Sequence, residues 1–155
     1  MAFPLTVNLG YGMEKRETSE QRQKLGTRGV LPDGRVYYYA ENSGTAITHG
    51  GYLLDGIAAV AAHDMDLAAA VASAGATTFT SGTSLTTTKD QYADGYLYFN
   101  DGPGQGETYK VKSNTAVSGA TGLSITIDEP DGLVTALTTS SLFGLMYSPY
   151  KDVKI

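Results

Sequence analysis

The sequence predicts an all-β fold, a compact antiparallel β-barrel or sandwich with an extended N-terminal arm. Three observations carry that expectation. Tyr96-Leu97-Tyr98-Phe99 and Tyr109-Lys110-Val111-Lys112 flank the turn residues Asn100 to Gly106, and two alternating runs joined by Gly, Asp and Pro signal a β-hairpin. Asp-Gly recurs at 33, 55, 94, 101 and 131, each time at the edge of a candidate strand. Finally, 19 Gly and 11 Tyr beside only 17% charged residues favour strands and turns over surface helices.

A chain of 155 residues accommodates one domain with an arm, or two small β modules, and can bury a core without covalent staples. The absence of Cys removes disulfide and thiolate chemistry. A net charge of −5 argues against a nucleic-acid partner gripped through phosphates. No apolar run reaches the roughly 18 residues of a membrane span, and the start lacks a signal-peptide pattern. A soluble protein made in the cytoplasm, with no membrane partner, is expected.

Taken in order, the chain divides into an arm (1–28), a β-rich domain (29–147) and a tail (148–155). Phe3, Leu5, Val7 and Leu9 alternate as in a short strand, and Glu14 to Lys24 then has no apolar face at any period. Such a segment is a frayed helix or loose arm, or it orders against a partner through Phe3, Leu5, Val7, Tyr11, Arg16, Arg22 and Arg28. Residues 3–9 adding to the edge of a partner's sheet is one route. Leu31-Pro32-Asp33-Gly34 is a turn into a strand at Arg35 to Ala40 with aromatics on both faces. Thr45 to Ile47 and Tyr52 to Leu54 are further short strand candidates.

Ile57 to Ala76 is ambiguous, because its alanines favour helix while Gly56, Gly75 and His63-Asp64-Met65-Asp66 interrupt it. The residues leave helix and strand open there; the family resemblance given below tips Leu67 to Val71 to strand, followed by a turn at Ser73 to Gly75 and a strand at Thr77 to Thr80. Leu123 to Ile127 alternates as a strand, Leu133 to Leu137 follows the turn at Glu129 to Gly132, and Leu142 to Tyr147 is apolar.

No chemistry is announced by motif. Gly102-Pro103-Gly104-Gln105-Gly106 imitates a phosphate loop but is followed by a strand with no Lys-Ser/Thr, so it reads as a hairpin turn. His63, Asp64 and Asp66 fall short of a metal-ligand set and read as surface polar residues. Asp101 and Glu107 lack EF-hand spacing, and no G-x-S-x-G nucleophile elbow occurs. Neither a catalytic group nor a cofactor is expected. Tyr11, Tyr147 and Tyr150, outside the clear strands, are the better interface tyrosines.

Three stretches carry a resemblance. Leu25-Gly-Thr-Arg28 followed by Pro32-Asp-Gly-Arg-Val-Tyr37 and Ala40 is similar to the opening of decoration, or cement, proteins on the heads of tailed bacteriophages. Gln91-Tyr-Ala-Asp-Gly-Tyr-Leu97, Asn100-Asp-Gly102 and Gly104-x-Gly-x-x-Tyr-x-Val-x-Ser-Asn114 resemble their β core. Asp131 to Thr139 and Ser148-Pro-Tyr150 resemble their close, while Gly50 to Met65 departs from the pattern. The resemblance implies a non-enzymatic virion protein on the outer surface of the capsid, binding the major capsid protein and forming a homo-oligomer, with a trimer favoured. The alternative is a receptor- or glycan-binding module of a phage fibre, with a small cell-wall hydrolase third.

Overall fold

The computed structural model describes residues 6–45 and 55–154. Phe3, Leu5, His49 and the strand candidates at 46–47 and 52–54 lie outside them. Among the described residues eleven strands follow in chain order: β1 (Val7–Asn8), β2 (Arg28–Val30), β3 (Val36–Tyr38), β4 (Leu67–Ala68), β5 (Thr78–Thr80), β6 (Leu85–Thr87), β7 (Tyr96–Asp101), β8 (Thr108–Asn114), β9 (Val117–Ala120), β10 (Ser124–Ile127) and β11 (Leu142–Met146). Two 3-10 turns, Met13–Lys15 and Ala61–His63, are the only helical pieces among the described residues. The fold is all-β.

The chain forms two compact units, one over 58–147 and one built from the described residues of 6–57 with 148–154. In the first, six strands pair in the order β4-β11-β7-β8-β10-β5. The sheet curls until its two edges meet: Ala69 bridges Ser81, the Ala69 amide donates to Ser141 on one side, and the Ala70 amide donates to Thr80 on the other (2.9 and 2.8 Å). Curling an antiparallel sheet onto itself removes the unpaired edges that invite aggregation. The Ala-rich stretch therefore supplies a seam strand. Small side chains suit a place where two edges converge, and pairing on both sides outweighs the few tenths of a kcal/mol per residue that Ala offers a helix.

Alternation fills the interior. Leu97 and Phe99 of β7, Tyr109 and Val111 of β8, Ile125 and Ile127 of β10, Phe79 of β5, and Phe143 and Leu145 of β11 are all buried. Register puts Phe143 opposite Phe99 and Leu145 opposite Leu97, so the inward rows stack. Phe143 meets Phe79 edge to face at 5.3 Å, and Phe99 meets Tyr109 at 6.2 Å. Leu133 and Leu137 are buried as the alternation suggests, yet their backbone forms a loop with one bridge, Ala72 to Leu137. The apolar side chains there plug the barrel without joining its sheet.

The opening hairpin is β7–β8, paired antiparallel. Its glycine turn folds against the barrel: Gly102 (φ +71°) has the Ser140 carbonyl where a Cβ would sit, and Gly104 (φ +92°) lies against Phe99 and Leu137. The Gly102, Gln105, Gly106 and Glu107 amides donate to Asp101, Gly102, Phe99 and Gly104. Gly102→Ala forces both a left-handed backbone and a collision, so a loss of about 2–4 kcal/mol is expected, read as a lowered urea midpoint at constant m.

In the second unit β1 lies parallel to β2, and β3 antiparallel to it. Val7 and Asn8 thus add to a sheet of their own chain, where the sequence pointed to a partner's. Residues 148–154 are built into the same unit. The Val153 amide donates to Glu41 (2.8 Å), while Asp55 and Lys154 exchange both amide bonds at 2.9 Å. Leu25, Leu31 and Val153 are its buried large apolar side chains among the described residues.

Candidate functional site

The second unit presents one exposed sheet face. Arg28 stands opposite Tyr38 and Val30 opposite Val36, so these four side chains project to the same side of β2 and β3. Tyr38 is 51% exposed and Val36 39% exposed. Tyr150, from the other end of the chain, stacks on Tyr38 with ring centroids 5.4 Å apart and planes 21° apart. Gly26 makes that arrangement possible: its φ is +83°, and a Cβ there would sit 2.9 Å from the Tyr150 ring. Arg28 is exposed and has no ion pair among the described residues, whereas Arg35 is held by Asp33 at 2.8 Å. A stacked tyrosine pair beside an unpaired arginine and two valines has the composition of an interface centre.

The opposite side of the same sheet is occupied. Leu9 packs over Gly29, where a Cβ would meet its methyl at 2.5 Å. The polar stretch after the first 3-10 turn wraps around Tyr39, whose hydroxyl accepts from the Arg22 amide (2.9 Å) and lies 3.4 Å from the Thr18 hydroxyl. Among the described residues, the Arg28–Tyr38 side is the open one.

The sequence candidates separate accordingly. Arg28 and Tyr150 come together. Val7 is half-buried on β1; Arg16 and Arg22 are exposed, and Tyr11 stands 65% exposed in a turn beside Met13. Tyr147 belongs to the barrel unit, where it is half-buried, stacks on buried Tyr92 at 4.8 Å and accepts a hydrogen bond from Gln91 Nε2 at 2.6 Å. Val36 and Tyr38 escaped residue-level reading, although aromatics on both faces of Arg35 to Ala40 were the available signal. Charge divides unevenly as well: the unit of 3–57 and 148–155 holds eight basic and seven acidic residues (net +1), the other three basic and nine acidic (net −6).

Polar groups inside the barrel unit satisfy one another. His63, expected at the surface, is buried with its Nδ1 2.5 Å from the Tyr92 hydroxyl, because the Ala61–His63 turn tucks the ring inward. Burial pushes its pKa below the ordinary histidine value. Glu107 accepts from the Tyr109 and Thr135 hydroxyls, both at 2.5 Å, and the Val134 amide donates to the Tyr109 oxygen at 2.8 Å. Burial, reinforced by the Glu107 carboxylate, pushes the Tyr109 phenol up to about 12.

A phenol held neutral in the fold contributes stability below the unfolded value near 10, and that contribution is lost as pH rises through the folded one. Tyr109→Phe is expected to cost about 1–2 kcal/mol near neutrality, since it strands a half-buried carboxylate oxygen and an amide. It also flattens the alkaline limb of a stability–pH curve, which denaturation between about pH 9 and pH 12 measures.

Among the described residues no three His, Asp or Glu side chains converge as metal ligands. The arrangement that stands out chemically is the Arg28–Val36–Tyr38–Tyr150 face. No protein-family model, curated protein or solved structure matches this chain.

Proposed function

We propose that this is a non-enzymatic structural protein that decorates and stabilises the icosahedral head of a tailed phage by binding major capsid protein subunits. One observation supports this reading above the others. The first and last stretches that resemble decoration proteins, Leu25 to Ala40 and Ser148 to Tyr150, fold together: Tyr150 covers Gly26 and stacks on Tyr38. The face they form is open and has the tyrosine and arginine content of a protein-binding centre. On a lattice, many copies of one modest contact suffice, because avidity multiplies them.

The test is co-sedimentation of the purified chain with purified heads that lack it. Saturable binding in fixed ratio to the major capsid protein, together with heads that retain DNA at higher temperature, is the expected result. Absence of binding to heads, with specific hits on a glycan array, replaces this reading with a fibre's carbohydrate-binding module.

A further inference from the structure

Residues 61–66 lie as a strap over the outer side of β7 and β11. Tyr98 and Gly144 face each other there, with Leu97, Phe99, Phe143 and Leu145 turned inward. Three ties hold the strap. His63 Nδ1 meets the Tyr92 hydroxyl at 2.5 Å. The Tyr98 hydroxyl donates to the Asp64 carbonyl and lies 3.3 Å from Asp64 Oδ1. Asn100 Nδ2 donates to Asp66 Oδ1 at 2.6 Å, and the Asp66 amide returns a longer bond at 3.4 Å. Gly144 lets the strap lie this close, since any side chain there meets the Asp64 carbonyl and the Tyr98 ring.

We propose that this strap is an acid-operated latch: a proton taken up by the buried His63 ring releases it, uncovering the Tyr98–Gly144 row beside the exposed pair Tyr96 and Met146. Those two are opposite one another on β7 and β11, so the uncovered row continues an apolar patch already at the surface.

Among the described residues no carboxylate is hydrogen-bonded to the His63 ring, whose partner is the neutral Tyr92 phenol. Tyr92 faces it from the turn before β7, with Tyr147 stacked behind; Tyr98 lies on β7, and Asp64 and Asp66 belong to the strap itself. The Tyr92 and Tyr98 phenols are pushed up, chiefly by burial, and bring no negative charge. Burial alone lowers the His63 value, with no carboxylate offsetting it. A depressed histidine contributes its stability above the unfolded value of 6.5, and that contribution falls by up to about tenfold per pH unit as pH drops towards the folded value.

Hydrogen exchange on the full chain, corrected for intrinsic rates, reads the latch at about pH 7.5 and about pH 5. The His63 and Asp66 amides are expected to lose about tenfold or more of their protection at the lower pH, while Val111 and Leu145 keep theirs. His63→Gln, which keeps a hydrogen-bonding group but takes up no proton, is expected to give equal strap protection at both. Strap protection independent of pH, a persisting pH dependence in His63→Gln, or equal losses in strap and barrel amides each overturn the latch. Should His63→Gln fail to fold, NMR titration of the wild-type ring decides: a pKa below 6.5 coincident with the loss of protection supports it, and one at or above 6.5 sinks it. Because the readout uses the protein alone, it stands or falls apart from capsid binding.

Discussion

Phe143→Ala is expected to destabilise the barrel unit by about 3–5 kcal/mol, enough to consume a large share of a small domain's stability. Phe143 is fully buried and meets Phe79 at 5.3 Å and Phe99 at 6.2 Å. It also sits on β11, which pairs with β7 on one side and β4 on the other. Truncation removes the apolar contacts of a whole ring from the middle of an aromatic cluster, and neighbours fixed on paired strands cannot collapse into the gap. Phe143→Leu retains most of the volume and is expected to cost less than half as much. Urea unfolding followed by tyrosine fluorescence measures both. Near-equal midpoints for the two variants would show that the cluster relaxes around the cavity.

The second large effect concerns recognition. Tyr38→Ala combined with Arg28→Glu is expected to weaken binding to heads by about 100-fold or more, because aromatic and arginine anchors at an interface centre are each worth about 2 kcal/mol. Both residues are exposed, so the fold bears only the lost Tyr38–Tyr150 stack, about 0.5–1.5 kcal/mol. Tyr96→Ala, which removes an exposed tyrosine of the barrel unit, is the control and leaves affinity within about twofold. Binding isotherms from sedimentation at fixed salt measure all three. Raising salt weakens the wild type more than Arg28→Glu if the arginine meets an acidic group on the partner.

Local signals in the sequence were legible, and pairings between distant residues were not. Tyr96 to Asn114 announced its hairpin because alternation and a glycine turn are contiguous, and β7–β8 lies there. The residues of Leu67 to Val71 left helix and strand open, and the resemblance to decoration proteins tipped the reading to strand, which β4 and the bridges at Ala69 and Ala72 match. The closure of the sheet through Ala69 and Ser81 carries no local mark, since it depends on two edges meeting. His63 looked like a surface residue for the same reason: Tyr92, which satisfies it, lies 29 positions away.

The exposed Arg28–Tyr38 face shows the same division. Arg28 and Tyr150 were singled out as separate candidates at opposite ends of the chain, and only the fold places both beside Tyr38. Tyr147 looked equivalent to Tyr150 in sequence, three positions away. Its ring instead stacks on Tyr92 within the barrel unit, where burial beside a core aromatic outweighs exposure to a partner.

The central claim is that the face where the two ends of the chain meet binds the head. Hydrogen exchange of the protein, free and bound to purified heads, tests it most directly. The account predicts slowed exchange on heads at the amides of Arg28 to Tyr38 and of Tyr150 to Val153, with the β7–β8 hairpin unchanged. Protection confined to the barrel unit, or none on heads at saturating concentration, would contradict it.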